Sequence, residues 1–515
     1  MSQETTQEFG KLRSFFWPVH GYELKKMLPM FIMFFFISFN YTILRDTKDS
    51  MIVPASGAET IPFLKLWGTI PAAVIFMVIY SKLSNILTKE KLFYVTIIPF
   101  ILFFALFATV LYPNKDLLHP TASADFLQSI LPGGWGKGLA GCYRNWTYSL
   151  FYIFAELWGS AVLSLMFWGF ANEIMRISEA KRVYTTLGIG ANIALLFSGP
   201  TIIYFSDIRK TLPPNIDAWQ VSLNYLMGLV VLAGLAIIGI YWWMNRNVLT
   251  DPRFYDPKDV KKKKSKSKLS LKDSFLCLVQ SKYIGCISVL VICYGICINL
   301  VEVTWKSQVG LQYPDPNDYS TFMGYLSTVT GPVTIVMMLI GGYILRKKGW
   351  GFAAIITPTV LLVTGIGFFA FVIFRGNLQG VIAMVGSTPL MLAVIFGMAQ
   401  NVMSKSTKYS LFDPTKEMTY IPLDQEQKVK GKAAIDVVGA RLGKAGGSVI
   451  YQILFAFGTL ASLTPYIAII MVGVIFAWMT AVKSLNKQFL ALTSDTPKPE
   501  EDKEPEGTPA VQAAT

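Results

Sequence analysis

Cysteine and histidine are scarce in this chain of 515 residues, which holds five of the first and two of the second. The cysteines, at 142, 277, 286, 293 and 297, form no C-x-x-C pair. His20 and His119 stand apart from any cysteine or carboxylate cluster. No disulfide framework, metal centre or histidine-based catalysis is therefore indicated, and no cofactor is expected. Cys293 and Cys297 lie one helical turn apart and read as small packing residues. Charge is sparse too: only 15% of residues are ionised, with 46 basic against 32 acidic. A cleavable secretory signal is not expected, because the first apolar run starts after residue 27 and ends in charge where small residues would be needed.

What the chain has in excess is apolar surface. With 53% hydrophobic residues, 36 Phe and 12 Trp, it carries more than a soluble core can hide. The mean hydropathy of +0.46 points the same way. A helix needs about 20 mostly apolar residues to cross the ~30 Å hydrocarbon layer, and backbone in lipid must satisfy its hydrogen bonds internally. About twelve such segments are expected, near 28–45, 61–81, 92–112, 148–172, 184–205, 221–243, 283–304, 321–345, 353–374, 384–403, 435–461 and 464–482. The predicted fold class is an all-α integral membrane protein with two six-helix bundles, major-facilitator-like in layout.

Basic residues concentrate in alternate connections: Lys82, Lys89 and Lys91; Arg176, Lys181 and Arg182; Lys261 to Lys264; Arg346, Lys347 and Lys348; Lys428, Lys430 and Lys432. By the positive-inside rule both termini are expected in the cytoplasm. The net charge of +14 is then a topology signal, and no nucleic-acid partner is implied. The expected organisation is a cytoplasmic N-terminal segment at 1–27, a bundle at 28–244, a basic linker at 245–282, a second bundle at 283–484 and a disordered tail at 485–515. Loops beginning EAKRVYTTLGIGAN at Glu179 and EQKVKGKAAIDVVGARLGK at Glu426 occupy matching places in the two halves and read as a duplicated gate.

Ionisable groups in hydrocarbon are costly, so those retained mark a pathway, a substrate or a partner. Arg45 and Lys48 sit in RDTKD at the end of the first segment, Glu156 inside FYIFAELWGS, Glu302 and Lys306 in NLVEVTWK, and Asp436, Arg441 and Lys444 in the eleventh segment. Converging in a central cavity, such cations suit a highly anionic substrate, with Arg as a planar fork and Lys as a point charge for phosphate oxygens. The competing readings are snorkelling for Arg45 and Lys48, an interhelical ion pair for Glu156 and a local i, i+4 pair for Glu302 with Lys306. GARLGKAGGS and GGWGKG both fail the G-x-x-x-x-G-K-[ST] pattern, and no strand precedes either. Close helix packing is the plain reading of the glycines around Lys444.

The stretches NYTILRDTKD at 40–49, AELWGS at 155–160, FWGFANEI at 167–174, NLVEVTWKSQ at 299–308, KYSLFDPTKEMTYIPLD at 408–424 and KVKGKAAIDVVGARLGKAGG at 428–447 closely resemble the ATP/ADP translocases of obligate intracellular bacteria and plastids. The resemblance covers all but the two tails. It implies a carrier in a bacterial inner membrane that imports host ATP in exchange for ADP and phosphate, with no enzymatic activity; a monomer is the expected state, although the sequence itself does not set it. By the same resemblance the transport residues are Lys48, Glu156, Glu302 and Lys444, with Arg45, Lys306 and Arg441 as second choices. A proton-coupled nucleotide importer is the alternative within this family. Obligatory exchange requires the empty carrier to reorient slowly, and unneutralised cations in its closed state would achieve this.

Overall fold

The computed structural model describes residues 19–254, 281–377, 386–423 and, with gaps at 429–430, 433–434 and 436–438, residues 427–494. Among the described residues every regular element is helical. The first half contains α1 (Leu24–Ser56), α2 (Thr60–Ile86) and α3 (Lys89–Leu111), then two short helices α4 (Thr121–Ile130) and α5 (Gly133–Arg144). It continues with α6 (Trp146–Ile174), α7 (Ile177–Ser206) and α8 (Ala218–Asn247). The second half contains α9 (Lys282–Gln312), α10 (Pro316–Ile373), α11 (Pro389–Thr407), α12 (Ala440–Phe455) and α13 (Leu460–Ser494).

Nine of the described helices are long and apolar enough to span a bilayer. α10 is two helices joined at Gly349, whose φ of 80° is the left-handed region that breaks a helix and favours glycine. α11 is more polar, and the described part of α12 is 16 residues long. Length and hydropathy alone therefore do not reach the expected count of twelve among the described residues. Most of the basic linker and tail, Asp436 and part of the second gate-like loop lie outside the described residues.

Two expected boundaries are corrected. α1 runs to Ser56, so RDTKD is buried in the middle of a helix and does not close a segment at the headgroups. A stretch of charge looks like a helix end by hydropathy, but here each charge has a partner on another helix. α13 runs to Ser494, so residues 485–494 are helical, not part of a tail. Leu485 and Phe489 stay buried there, and Phe489 stacks on Trp350 at 5.2 Å.

The halves meet along α7 and α10, and along the first turns of α2 against α12. On the face where α1 ends they are sealed. Arg209, just past α7, pairs with Asp315 and Asp318 at the start of α10, each at 2.8 Å. Asn317 donates to the Ser206 carbonyl at 3.0 Å and to Ser222 at 2.6 Å. On the other flank Gln452 of α12 donates to the Pro62 carbonyl at 3.1 Å, and Trp67 donates to Gln452 at 3.0 Å.

α5 completes that seal, and it carries the GGWGKG motif. Gly134 donates from its backbone to the Gly458 carbonyl at 3.1 Å, and Trp135 donates to the Gln452 carbonyl at 2.7 Å. A Cβ on Gly138 would lie 2.8 Å from the Glu59 carbonyl oxygen and closer still to the Phe63 ring. The glycines let α5 lie directly on α2, which is the packing role and not a phosphate loop. Because the Glu59 backbone cannot swing aside, Gly138→Val should cost about 1–3 kcal/mol of overpacking. Thermal unfolding in detergent checks this, and an unchanged midpoint would contradict the packing described.

Candidate functional site

A continuous chain of charge runs across the middle of the molecule. Lys48 of α1 lies 3.1 Å from Glu156 of α6 and 2.9 Å from Asp49, with its ammonium 3.9 Å above the Tyr152 ring. Asp49 also takes Lys306 of α9 at 2.7 Å. Lys306 pairs with Glu302 one turn earlier at 2.7 Å, and Glu302 reaches Lys65 of α2 at 3.0 Å. Two of these links join the halves, Asp49 to Lys306 and Lys65 to Glu302. The middle is dry and the ends are not: the Lys48, Asp49 and Lys306 side chains are 1–3% exposed, while Glu156 is 31% and Glu302 28% exposed. Exposure is thus confined to Glu156, Glu302 and Lys65, the last 20% exposed, on either side of the buried Lys48, Asp49 and Lys306.

Arg45 forms a second group one turn earlier on α1. It pairs with Asp46 at 2.9 Å and donates to Ser327 of α10 at 2.9 Å, while Ser327 donates to Asp46 at 2.6 Å. The Arg45 guanidinium lies 6.0 Å from the Tyr41 ring. The hydroxyls of Tyr152 and Tyr319, both fully buried beside these groups, have no hydrogen-bond partner among the described residues.

Local backbone geometry aims these side chains. Lys65 sits inside a wide π-type turn at Leu64–Thr69, and Glu156 lies three residues before another at Gly159–Phe167. A third, Lys408–Phe412, follows Lys405 of α11 by the same interval. Such turns insert an extra residue and rotate the flanking side chains, and they recur at functional sites.

Lys444 is exposed on α12, and its positive charge acts on Glu156. α12 is held against α9 by small residues: the Lys444 carbonyl accepts from Asn299 at 2.8 Å, and a Cβ on Gly443 or Gly447 would meet α9 at 3.1 Å or 2.6 Å. Lys405 feels the charges of Arg45, Glu302, Asp46 and Lys306. Neither Lys405 nor Lys444 has a carboxylate at ion-pair distance among the described residues. Four carboxylates (Asp46, Asp49, Glu156, Glu302) therefore face six cations (Arg45, Lys48, Lys65, Lys306, Lys405, Lys444), an excess of two positive charges.

Of the residues expected from sequence, Lys48, Glu156, Glu302 and Lys306 share one ion-pair chain, Arg45 flanks it, and Lys444 stands exposed on α12 with no ion pair to the chain among the described residues. Arg441 is not brought into this chain; it is exposed and faces α2 beside Lys82. Of the cations gathered here, Arg45 and Lys48 pair with carboxylates of their own half, Lys65 and Lys306 pair across the seam, and Lys405 and Lys444 have no carboxylate at ion-pair distance among the described residues. Asp49, Lys65 and Lys405 were missed. Lys65 was visible as a lysine within the second apolar segment, and Asp49 within RDTKD; Lys405 falls just past an expected segment end and carried no such signal.

Among solved structures, the nucleoside transporter NupG superposes with a TM-score of 0.54 at 11% identity, covering 88% of this chain and 99% of its own. Two helical halves, sealed on one face and bridged by charge between them, thus share the major-facilitator-like fold of that structure. The ADP,ATP carrier protein 1 of Chlamydia trachomatis is 59% identical over 498 residues, 96% of this chain and 94% of the relative. The chloroplastic ADP,ATP carrier protein 2 of Arabidopsis thaliana is 53% identical over 475 residues, 92% of this chain and 76% of the relative. The profile of the TLC ATP/ADP transporter family matches residues 2–489, and this chain belongs to that family.

Proposed function

We propose that this protein exchanges ATP for ADP across a bacterial inner membrane, importing host ATP by alternating access, with both termini in the cytoplasm. It is a carrier and not an enzyme, and phosphate travels as part of the exchange. The observation that carries this reading is the ion-pair chain from Glu156 to Lys65 together with the two unpaired cations Lys405 and Lys444. A polyphosphate suits that arrangement. Its charge first meets the excess cations, then competes with Asp49, Glu156 and Glu302 for Lys48, Lys306 and Lys65.

Exchange follows from where the ion pairs lie. Without nucleotide, Asp49–Lys306 and Lys65–Glu302 tie one half to the other and hold the empty carrier in place. A bound phosphate chain takes over the lysines, releases those ties and lets the halves rock; losing the nucleotide restores them. Arg45, held by Asp46 and Ser327 one turn from Lys48, forks a second phosphate in this reading.

Purified protein in liposomes, supplied outside with labelled ATP, tests this directly. Uptake is expected with ADP inside and is expected to stay near background in empty vesicles. Uptake into empty vesicles driven by a proton gradient would replace exchange with proton-coupled import, and Glu156 and Glu302 would then be the proton sites.

A further inference from the structure

Away from the seal α2 and α12 part, and the gap between them contains a pair of cations that the ion-pair chain does not use. α2 and α12 touch near Pro62, Trp67 and Gln452, with Phe63 stacked on Phe455 at 6.4 Å. Towards their other ends they part, and Ile70–Ile86 of α2 has no buried residue. A cavity of about 420 Å³ lies in the gap, lined by Val74, Met77, Val78, Ser81, Lys82 and Arg441. Neither Lys82 nor Arg441 has a carboxylate at ion-pair distance among the described residues. Gly443 and Gly447 turn one face of α12 to α9, which leaves Arg441 and Lys444 exposed away from it. Residues three apart on a helix are neighbours, about 5–6 Å between Cβ atoms. Arg441 thus stands one step outside Lys444, and Lys444 acts on Glu156 at the end of the buried chain.

We propose that Lys82 and Arg441 form a phosphate subsite at this mouth, which captures the polyphosphate of a nucleotide and hands it to Lys444. The inference rests on the exchange reading for its cargo. A fork on Arg441 and a point charge on Lys82 bracket a phosphate chain from two helices, and the apolar wall of α2 lowers the local dielectric, so the attraction outlasts that of two isolated surface charges. Capture here raises the local nucleotide concentration without holding the buried lysines. The dependence on ionic strength is its signature, because the Debye length falls from about 10 Å at 0.1 M to about 3 Å at 1 M.

The test compares wild type with the Lys82→Gln/Arg441→Gln double variant in two assays. Binding of inorganic tripolyphosphate and of ATP to the purified protein is expected to weaken several-fold at low salt, with the difference closing at high salt. This result does not require transport, so it stands or falls separately from the exchange reading. In proteoliposomes, the KM for nucleotide on the mouth side should rise several-fold at low salt while the rate at saturating nucleotide is kept. Unchanged binding and KM at low salt would overturn the proposal. So would loss of the saturated rate, which would move Arg441 into the buried machinery. An effect that appears in vesicles of anionic phospholipid and vanishes in phosphatidylcholine would instead assign the two cations to a lipid headgroup.

Discussion

Lys48→Ala should lower ATP/ADP exchange in proteoliposomes by about a hundred- to a thousandfold. Lys48 is 2% exposed and is shared by Asp49 and Glu156, so its removal takes charge compensation from the dry Asp49 and from the partly exposed Glu156. Breaking a buried pair from one side costs about 3–5 kcal/mol, and each ~1.4 kcal/mol is a factor of ten. The same substitution takes away a lysine that the phosphate chain must reach. Lys48→Arg keeps the charge but not the compact ammonium that sits 3.9 Å over the Tyr152 ring, and it should recover only part of the rate. Thermal unfolding of both variants separates a folding defect from a transport defect. Near-normal exchange by Lys48→Ala would remove the buried chain from the mechanism.

The second large effect is on coupling. Asp49→Asn should relax the requirement for internal ADP, so that the ratio of uptake with and without it falls by about tenfold or more. Asp49 is the acceptor through which Lys48 of one half and Lys306 of the other are joined, at 2.9 Å and 2.7 Å. Neutralising it leaves the empty carrier held by the Lys65–Glu302 pair alone at this depth. A well shallower by ~1.4 kcal/mol lets the empty protein reorient about ten times faster. The measurement is labelled ATP uptake into loaded and empty vesicles made from the same preparation. A ratio equal to that of wild type would show that the ties between halves do not hold the empty state, whatever happens to the absolute rate.

These two substitutions act on neighbouring residues of one helix and have different consequences, a distinction that the primary structure does not display. RDTKD reads as a charged cluster at a membrane edge because hydropathy averages over neighbours and cannot see partners. Inside α1 those residues follow each other around the helix at about 100° per step, so adjacent charges face different helices. Arg45 meets α10, Lys48 meets α6 and Asp49 meets α9. The choice between snorkelling and pairing was undecidable until the helices were in register.

Legibility varied with the type of signal. Glu156 and Glu302 were legible because an acid flanked by apolar residues has no inexpensive explanation in a bilayer. The same logic applied to Lys65 and would have found it. Lys405 was not legible, since it follows a polar stretch that resembles a loop; its place depends on the packing of α11 against α10 and on the wide turn that begins at Lys408. Arg441 shows the reverse case. It lies three residues from Lys444 in one glycine-rich stretch, yet the tilt of α12 away from α2 puts it at the mouth.

By itself the sequence determined that this is a multi-pass helical membrane protein, because the amount of apolar surface and the spacing of apolar runs leave no soluble alternative. It also fixed the family, through long motifs whose residues are specific wherever they fold. Only the tertiary structure decided which charges neutralise which, which two cations remain in excess, and which links cross from one half to the other. Those are properties of distances between helices far apart in the chain. Electrostatic energy depends on separation and on the exclusion of water, and neither is written in the order of residues.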